Sequence, residues 1–168
     1  MKEPKSGDSI MKITCYDLQY DYENDVPILV KDRDIKYMET TISSPSEIFN
    51  FLKECLNVDK LLDERAHIIA LDNAGKVIGV FRVGQGNSTT SVVDTKGVFV
   101  RLLLSRATHF IFTHNHPNDS IRASMNDIEL TKNLKKFGDM VNIKLLDHII
   151  TGTSEYQSLK STDPSLFN

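Results

Sequence analysis

The chain has 168 residues, of which 40% are hydrophobic and 26% are charged. A chain of this length can bury roughly 70% of its unfolded surface, so these proportions predict one soluble globular domain and exclude disordered and collagen-like proteins. No stretch reaches the roughly 18 apolar residues of a membrane span, and the N-terminus has no signal-peptide core. The two cysteines, Cys15 and Cys55, are too few for a disulfide framework, so we expect a location in the reducing cytoplasm.

The charge balance narrows the classes of partner. Lys plus Arg number 20 against 23 for Asp plus Glu, which gives a net charge of −3. Proteins that bind nucleic acid usually carry a basic excess or a basic face. The one notable lysine cluster is more typical of a solvated helix face; its members are Lys132, Lys135, Lys136 and Lys144. We therefore do not expect direct binding to nucleic acid.

The N-terminal third of the chain has weak strand signals followed by a clear helix start. Residues 1–10 are polar and predict a flexible tail, and the sequence leaves open whether translation starts at Met1 or at Met11. Residues 11–43 form a strand-rich extension, in which loosely alternating apolar residues predict one or two short strands. At Ser44 a capping box and a following proline predict a helix with an apolar stripe, which begins the domain proper, residues 44–168.

A hairpin and a second helix follow. His67–Leu71 and Lys76–Val83 predict two strands joined by a four-residue turn, and Gly84–Ser91 predicts a loop. Asp94 is a predicted N-cap for the second helix. The apolar face of that helix is predicted to comprise Val98, Phe99, Leu102 and Leu103.

The C-terminal half continues the alternation of strands and helices. Thr108–Thr113 predicts a central strand, and Ser124 is a predicted cap for a helix over Met125–Phe137. Gly138 suits the position just past the end of that helix. Further strands are predicted over Asn142–Thr151 and Glu155–Leu159. The order of elements predicts a single α/β domain.

Two histidines and an acid between residues 113 and 127 stand out chemically. Side chains two apart in an extended chain point the same way, so His114 and His116 can offer two imidazoles to one point. Pro117 turns the chain outward at the end of the strand. Asp127 follows in the first turn of the next helix. Two nitrogens and a carboxylate with an open fourth position are typical of a catalytic zinc site.

An ordinary structural interpretation competes with the metal site. Ser124-x-x-Asp127 is also what a helix N-terminus looks like, with a cap and a first-turn acid. A His-x-His pair alone is a weak signal for a metal. The residue chemistry by itself leaves both interpretations open.

The spacing His-x-His-x(7)-Ser-x-x-Asp, with a glutamate upstream, resembles the JAMM signature of the JAB/MPN+ metalloprotease superfamily. The closer resemblance is to its RadC-like branch, which reads HNHP, as does His114–Pro117 here. That branch also has a strand like Leu145–Ile150 and a glutamate at the distance of Glu64 before its first core strand. The resemblance extends over about Ser44–Leu159.

The resemblance implies a fold, a cofactor and roles for five residues. The fold would be the cytidine-deaminase-like MPN fold, an α/β domain with a central mixed sheet flanked by helices. His114, His116 and Asp127 would bind Zn²⁺, Glu64 would be the general base, and Ser124 would donate to the oxyanion. The implied activity is a zinc metallopeptidase or isopeptidase that cleaves an amide bond in a peptide or protein of unknown identity. Without the resemblance, Glu64 is better interpreted as a solvated surface acid.

The chain also departs from the pattern of that branch. Asn118-Asp119 replaces the usual Ser-Gly after HNHP, and Arg122-Ala123 replaces prolines before the serine, so the loop could be shaped differently at the substrate edge. The stretch before Ser44 is too short and strand-like for the helix-hairpin-helix region of full-length members. The alternative function is a non-catalytic MPN-type interaction module associated with DNA repair or replication.

The remaining histidines receive structural interpretations. His67 and His109 are predicted to be packing or edge residues near strand starts. His148 lies in a predicted strand beside the motif. It is either a satisfied core histidine or a support for a metal ligand, and the sequence favours the first.

Overall fold

A computed structural model describes residues 11–37, 42, 44–86 and 93–168, so the predicted tail at residues 1–10 lies outside the described residues. Its strands are β1 (Met11–Asp21), β2 (Val26–Tyr37), β3 (Arg65–Leu71), β4 (Val77–Gln85), β5 (His109–Asn115), β6 (Lys144–Thr151) and β7 (Tyr156–Ser158). Its helices are α1 (Pro45–Leu56), α2 (Thr95–Leu104), α3 (Met125–Met140) and the short α4 (Leu159–Thr162), with 3₁₀ turns at Val58–Lys60 and Pro164–Phe167.

The strands that are described form one mixed sheet in the order β2-β1-β4-β3-β5-β6-β7. Strand β5 is antiparallel to β3 on one side and parallel to β6 on the other. The predicted fold class, an α/β domain with a central mixed sheet between helices, is confirmed. None of the helices among the described residues has the length and apolarity needed to cross a bilayer.

Each face of the sheet has its own apolar core, because side chains alternate along every strand. On one face Ile69 and Ile111 pack with helix α1, which contributes Phe51 and Leu52. On the other face Ile68 and Phe112 pack with α2 and α3 through residues that include Val98, Leu102 and Leu134. Even-numbered residues of β5 therefore face α2 and α3, and odd-numbered ones face α1.

The N-terminal hairpin is larger than the sequence predicts. Strands β1 and β2 have 11 and 12 residues and pair along their whole lengths, whereas one or two short strands were expected. The hairpin joins the main sheet through a parallel pairing of β1 with β4 at Cys15 and Tyr16. Most of β2 is exposed, so its apolar alternation is weak and its length cannot be read from the sequence.

The predicted N-cap is present at one helix start and absent at another among the described residues. In α1 the predicted capping box is present: Ser44 Oγ accepts from the Glu47 N–H at 3.2 Å, and Pro45 begins the helix. In α2 the side chain of Asp94 makes no capping hydrogen bond within the described part of the chain. Leu103 is 54% exposed, so its assignment to the buried face was wrong, while Val98, Phe99 and Leu102 are buried as predicted.

Helix α3 is longer than predicted, and Gly138 lies inside it instead of just past its end. The chain turns after Met140 and passes directly over Gly138, whose carbonyl accepts from the Ile143 N–H at 2.8 Å. A Cβ atom on Gly138 would lie 2.3 Å from the Ile143 carbonyl oxygen. The glycine is therefore required by a close backbone approach, and its predicted role as a helix stop was wrong.

Candidate metal centre

The three predicted ligands converge at the C-terminal end of β5. His114 is the penultimate residue of β5, His116 follows the strand, and Asp127 lies in the first turn of α3. His114 Nε2 lies 2.9 Å from His116 Nε2 and 3.2 Å from Asp127 Oδ1. His116 Nε2 lies 3.8 Å from Asp127 Oδ2. His114 is buried, and the other two side chains are largely shielded from solvent.

Hydrogen-bond partners fix which nitrogen of each histidine carries a proton. The Thr131 hydroxyl donates to the Asp127 carbonyl at 2.6 Å, so Thr131 Oγ1 must accept from His148 Nδ1, 2.7 Å away. Burial lowers the pKa of His148 well below its ordinary value, so its ring is neutral. His148 Nε2 then accepts from His114 Nδ1 at 2.9 Å, which leaves the lone pair of His114 on Nε2.

The second histidine is fixed in the same way. His116 Nδ1 faces the carbonyl oxygen of Ser120, which can only accept, so Nδ1 carries the proton and Nε2 has the lone pair. In the neutral rings that a metal ion requires, both Nε2 atoms therefore carry the lone pair, and they lie at one point with the Asp127 carboxylate. Such a concentration of electron pairs is stabilised by a cation between them.

The donor set fits a zinc ion. With Zn–N bonds of about 2.0–2.1 Å, neighbouring ligands in a tetrahedral site lie roughly 3.3 Å apart. The two Nε2 atoms lie 2.9 Å apart, and they lie 3.2 Å from Asp127 Oδ1 and 3.8 Å from Asp127 Oδ2 respectively, which are distances around that value. Within the described residues this is the group of three histidine, cysteine or carboxylate side chains close enough to hold a metal ion. The residues present therefore fit the metal that the sequence pattern implies.

The Asp127 carboxylate is held in its ionised form by the helix start. Burial acts to raise the pKa of Asp127, yet that pKa lies below its ordinary range, and the hydrogen bonds from Ser124 are among the interactions that lower it. Asp127 Oδ2 accepts from the Ser124 backbone N–H at 2.7 Å and from the Ser124 hydroxyl at 2.6 Å. The segment Ser124–Asp127 is consistent with both the helix-cap and the metal-site interpretations. Its residues form a capping box, and the Asp127 carboxylate also lies against the two histidines.

Glu64 lies one residue before β3, at the same end of the sheet. Ala66 of β3 is directly opposite His114, so the two share a face of the sheet. Glu64 is half-buried and two residues before Ala66, so continuation of the strand alternation by one residue would direct its side chain to that same face. The roles predicted for Glu64 and Ser124 in catalysis stay predictions.

The loop between His116 and Ser124 is tied down at several points. Asp119 has φ of +62°, a left-handed conformation that glycine adopts more easily, and its Oδ1 accepts from the Thr153 N–H at 2.5 Å. The Ala123 N–H donates to Gln157 Oε1 at 2.9 Å. Asp119 thus adopts a backbone conformation that glycine favours, and its carboxylate anchors the loop to Thr153.

Two residues connect to the predicted ligands by hydrogen bonds, and only one of them was considered from the sequence. His148, predicted with preference to be a satisfied core histidine, is fully buried with both ring nitrogens bonded, and one of these bonds is to the predicted ligand His114. Thr131 was not singled out, although it lies one helical turn after Asp127 and therefore on the same face of α3. That periodicity is the signal that could have found it.

The other histidines and the lysine cluster match their structural interpretations. His67 is 8% exposed, and His109 Nδ1 lies 3.0 Å from the Thr108 hydroxyl at the start of β5. Lys135 pairs with Asp139 at 2.7 Å. The remaining members of the cluster are exposed, as on a solvated face; they are Lys132, Lys136 and Lys144.

Comparison with known proteins identifies the family. The family model of the RadC-like JAB domain matches residues 42–164. A UPF0758 protein of Caldanaerobacter subterraneus subsp. tengcongensis is 32% identical over 120 residues, 71% of this chain and 51% of that protein. A UPF0758 protein of Clostridium perfringens is 34% identical over 125 residues, 74% of this chain and 54% of that protein. The chain spans about half the length of these curated relatives, and it belongs to the family of RadC-like JAB domains.

Proposed function

We propose that this protein is a zinc-dependent hydrolase that cleaves an amide bond, in a peptide or an isopeptide linkage, with water. The observation that carries the proposal is the convergence of two imidazole lone pairs and one carboxylate on a single point. Three protein ligands leave a fourth position for solvent or substrate, which is the arrangement of catalytic zinc sites. Membership of the RadC-like JAB domain family supports the same choice of metal.

In the proposed reaction three residues would bind the metal and Glu64 would transfer the proton. A zinc ion bound by His114, His116 and Asp127 would supply Lewis acidity, which lowers the pKa of water to about 7 and yields a nucleophile at neutral pH. Glu64 would take the proton of the attacking water and deliver it to the nitrogen of the leaving amine. The products are a carboxylic acid and an amine, so the proton that Glu64 accepts is the one that it returns. Proton transfer of this kind typically contributes 10²–10⁴-fold to the rate.

Ser124 would stabilise the negative charge that develops on the attacked carbonyl oxygen. Its hydroxyl donates to Asp127 Oδ2, and rotation about its side-chain bond would redirect that single proton to the oxyanion. The Ser124 backbone N–H would meanwhile keep its own bond to the carboxylate at 2.7 Å. The ligand would therefore stay anchored while the hydroxyl changes partner.

The substrate class is a peptide or protein with an accessible chain segment. A groove of about 500 Å³ begins two residues before Ser124 and is lined by Ile121, Arg122, Tyr156 and Gln157 among others. It offers both apolar and polar surface on which an extended chain can rest, and Glu64, His114, His116, Ser124 and Asp127 are not among the residues that line it. Because the matched part of this chain covers only about half of these relatives, the substrate and partners of the whole protein are also part of this proposal.

The experiment first measures the zinc content of the protein and then the cleavage of peptides. Protein from zinc-supplemented culture should contain about one zinc per chain, and His116→Ala should lose it. The zinc-loaded protein should cleave members of an internally quenched peptide library, and Glu64→Gln, with zinc retained, should not. A folded protein without zinc would overturn the proposed metal centre. A zinc-loaded protein that cleaves nothing in peptide or isopeptide libraries would instead favour the interaction module.

A further inference from the structure

We propose that Asn115 is a positioning residue for Glu64, an inference that rests on the proposed function because it concerns the base of that reaction. Asn115 separates the two histidine ligands in the sequence, but its side chain points to the opposite face of β5. It is 2% exposed and so cannot contact a substrate on the metal face. Its amide instead reaches the segment that carries Glu64.

The side-chain amide of Asn115 is bonded to the backbone on both sides of Glu64. Asn115 Oδ1 accepts from the Arg65 N–H at 2.8 Å, and Asn115 Nδ2 donates to the Asp63 carbonyl at 3.1 Å. One planar group thus holds the residues before and after the proposed base. A single planar amide with two fixed partners restricts both the position and the rotation of the Glu64 backbone.

The backbone of Glu64 is also bonded to Gly86, the residue directly after β4, and this bond leaves it little freedom. The Gly86 N–H donates to the Glu64 carbonyl at 2.9 Å, so Glu64 is held between β4 and the Asn115 amide. Asn115 is continuous with the strand that carries His114 and directly precedes His116. The residue that holds the base therefore belongs to the same rigid segment as two metal ligands.

This arrangement fixes the distance between the Glu64 side chain and the position of the attacking water, which the proposed reaction needs. A general base must lie within hydrogen-bond reach of the water from which it takes a proton. A misplacement of about 1 Å can cost on the order of 10²-fold in rate. Asn115 bonds residues 63 and 65 to β5, the strand that carries His114. The position of Glu64 relative to the metal centre is therefore fixed, although Asn115 contacts neither the substrate nor the metal.

The first experiment measures the two hydrogen bonds of the Asn115 amide to Asp63 and Arg65, called the clamp below, in the absence of metal and substrate. Amide hydrogen exchange is followed by NMR in the full chain for wild type, Asn115→Ala and Asn115→Asp. In Asn115→Ala the Arg65 amide should exchange about fivefold faster or more, while the Ile68 and Ile69 amides stay unchanged. Asn118→Ala is the matched control, because the Asn118 side chain bonds within its own loop, where its Oδ1 accepts from the Ser120 N–H at 3.2 Å. It should leave Arg65 exchange unaltered.

The second experiment measures the position of Glu64 relative to the metal. The protein is loaded with Co²⁺, and pseudocontact shifts of the Glu64 side chain are compared with those of Ser124. Asn115→Ala should reduce the Glu64 shifts through motional averaging and leave the Ser124 shifts in place, an effect that a general loss of stability would not produce. Asn115→Asp has nearly the same shape and keeps the acceptor for Arg65, so it should fold and show an intermediate effect.

The kinetic consequence separates positioning from binding. On any peptide that wild type cleaves, Asn115→Ala should lower kcat by about 10–10²-fold with KM changed less than twofold. Unchanged Arg65 exchange and unchanged Glu64 shifts in Asn115→Ala would overturn the inference. If these physical effects appear but wild type cleaves no peptide, the clamp stands and the hydrolase proposal fails, so the two failures are distinguishable.

Discussion

His148 Nε2 lies 2.9 Å from His114 Nδ1, and the His148 ring is completely enclosed by protein. Through Thr131 this contact continues to the backbone of Asp127, so one hydrogen-bond chain joins two of the proposed metal ligands. Supporting partners of this kind fix the orientation and tautomer of a histidine ligand.

Removal of the Thr131 hydroxyl should weaken metal binding. In Thr131→Val the His148 Nδ1–H loses its acceptor, so the His148 ring and the His114 ring behind it are no longer fixed. We expect zinc affinity to fall about 10–100-fold, measured by competition with a chromophoric chelator. Thr131→Ser keeps the hydroxyl and is the control, with an affinity close to that of wild type. Equal affinities for the valine and serine variants would contradict the role of the chain.

Replacement of the proposed base should separate chemistry from folding. Glu64→Gln keeps the size of the side chain and removes its ability to accept a proton. Zinc content and thermal stability should match wild type, while turnover of a peptide found by library screening falls by about 10²–10⁴-fold. Asp63→Asn, which changes the charge of the preceding exposed residue, is the control and should remain active. Loss of zinc in Glu64→Gln would mean that Glu64 supports the metal instead of the proton transfer.

His67 should make the fold less stable in mild acid. Burial lowers its pKa from 6.5 to about 4, with Arg82 and Arg65 contributing in the same direction. The unfolded chain therefore binds a proton between pH 6.5 and 4 that the folded protein does not, so stability falls as the pH falls through that range. At about 1.4 kcal/mol per pKa unit, the loss is on the order of 3 kcal/mol at most.

The measurement for His67 is a comparison of denaturant unfolding curves at pH 7 and pH 4.5. Wild type and His67→Gln should differ in the change of unfolding free energy between the two pH values, with the smaller change in the glutamine variant. Parallel pH dependence of the two proteins would show that His67 does not contribute. Other titrating groups are common to both proteins, so they do not affect the difference.

Gly138→Ala should destabilise the protein although alanine is the better helix former. The added Cβ would lie 2.3 Å from the backbone carbonyl oxygen of Ile143, which cannot move without displacing the turn into β6. We expect a loss of about 1–3 kcal/mol in urea unfolding. Gly97→Ala in α2 is the control, since its nearest contact is the flexible side chain of Asp94 at 2.7 Å. That variant should be neutral or slightly more stable.

Asp119 offers a test of how the loop accommodates a non-glycine residue. Asp119→Ala would lose the bond to the Thr153 N–H and keep the left-handed backbone, for a cost of about 1–2 kcal/mol. Asp119→Gly would lose the same bond but relieve the backbone strain, so its stability should lie between those of alanine and wild type. Thermal melting of the three proteins gives the order. An alanine variant as stable as the glycine variant would argue against strain at this position.

The local patterns predicted much of the site. His114, His116 and Asp127 belong to one continuous segment whose strand, turn and helix start have strong signals, so their convergence could be expected from spacing. The capping box at Ser44 was equally predictable, since its two bonds join residues three apart.

What the sequence did not reveal depends on how distant strands pair. His148 meets His114 only because β6 is parallel to β5 in one particular register, which places His148 opposite Phe112. The Asn115 amide reaches residues about 50 positions earlier. Gly138 misled the prediction because a glycine near a helix end usually marks its stop, whereas here a backbone from outside the helix requires it.

The anchoring of the loop at Asp119, Ala123 and His116 has a consequence for how a cation would enter. These bonds are made by the protein alone, to Thr153, Gln157 and Ser120, and none of them uses the donor atoms of the centre. The conformational entropy of aligning the ligands is therefore lost during folding and not at the moment of capture. The protein should act toward zinc as a rigid receptor, with most of the coordination energy expressed as affinity.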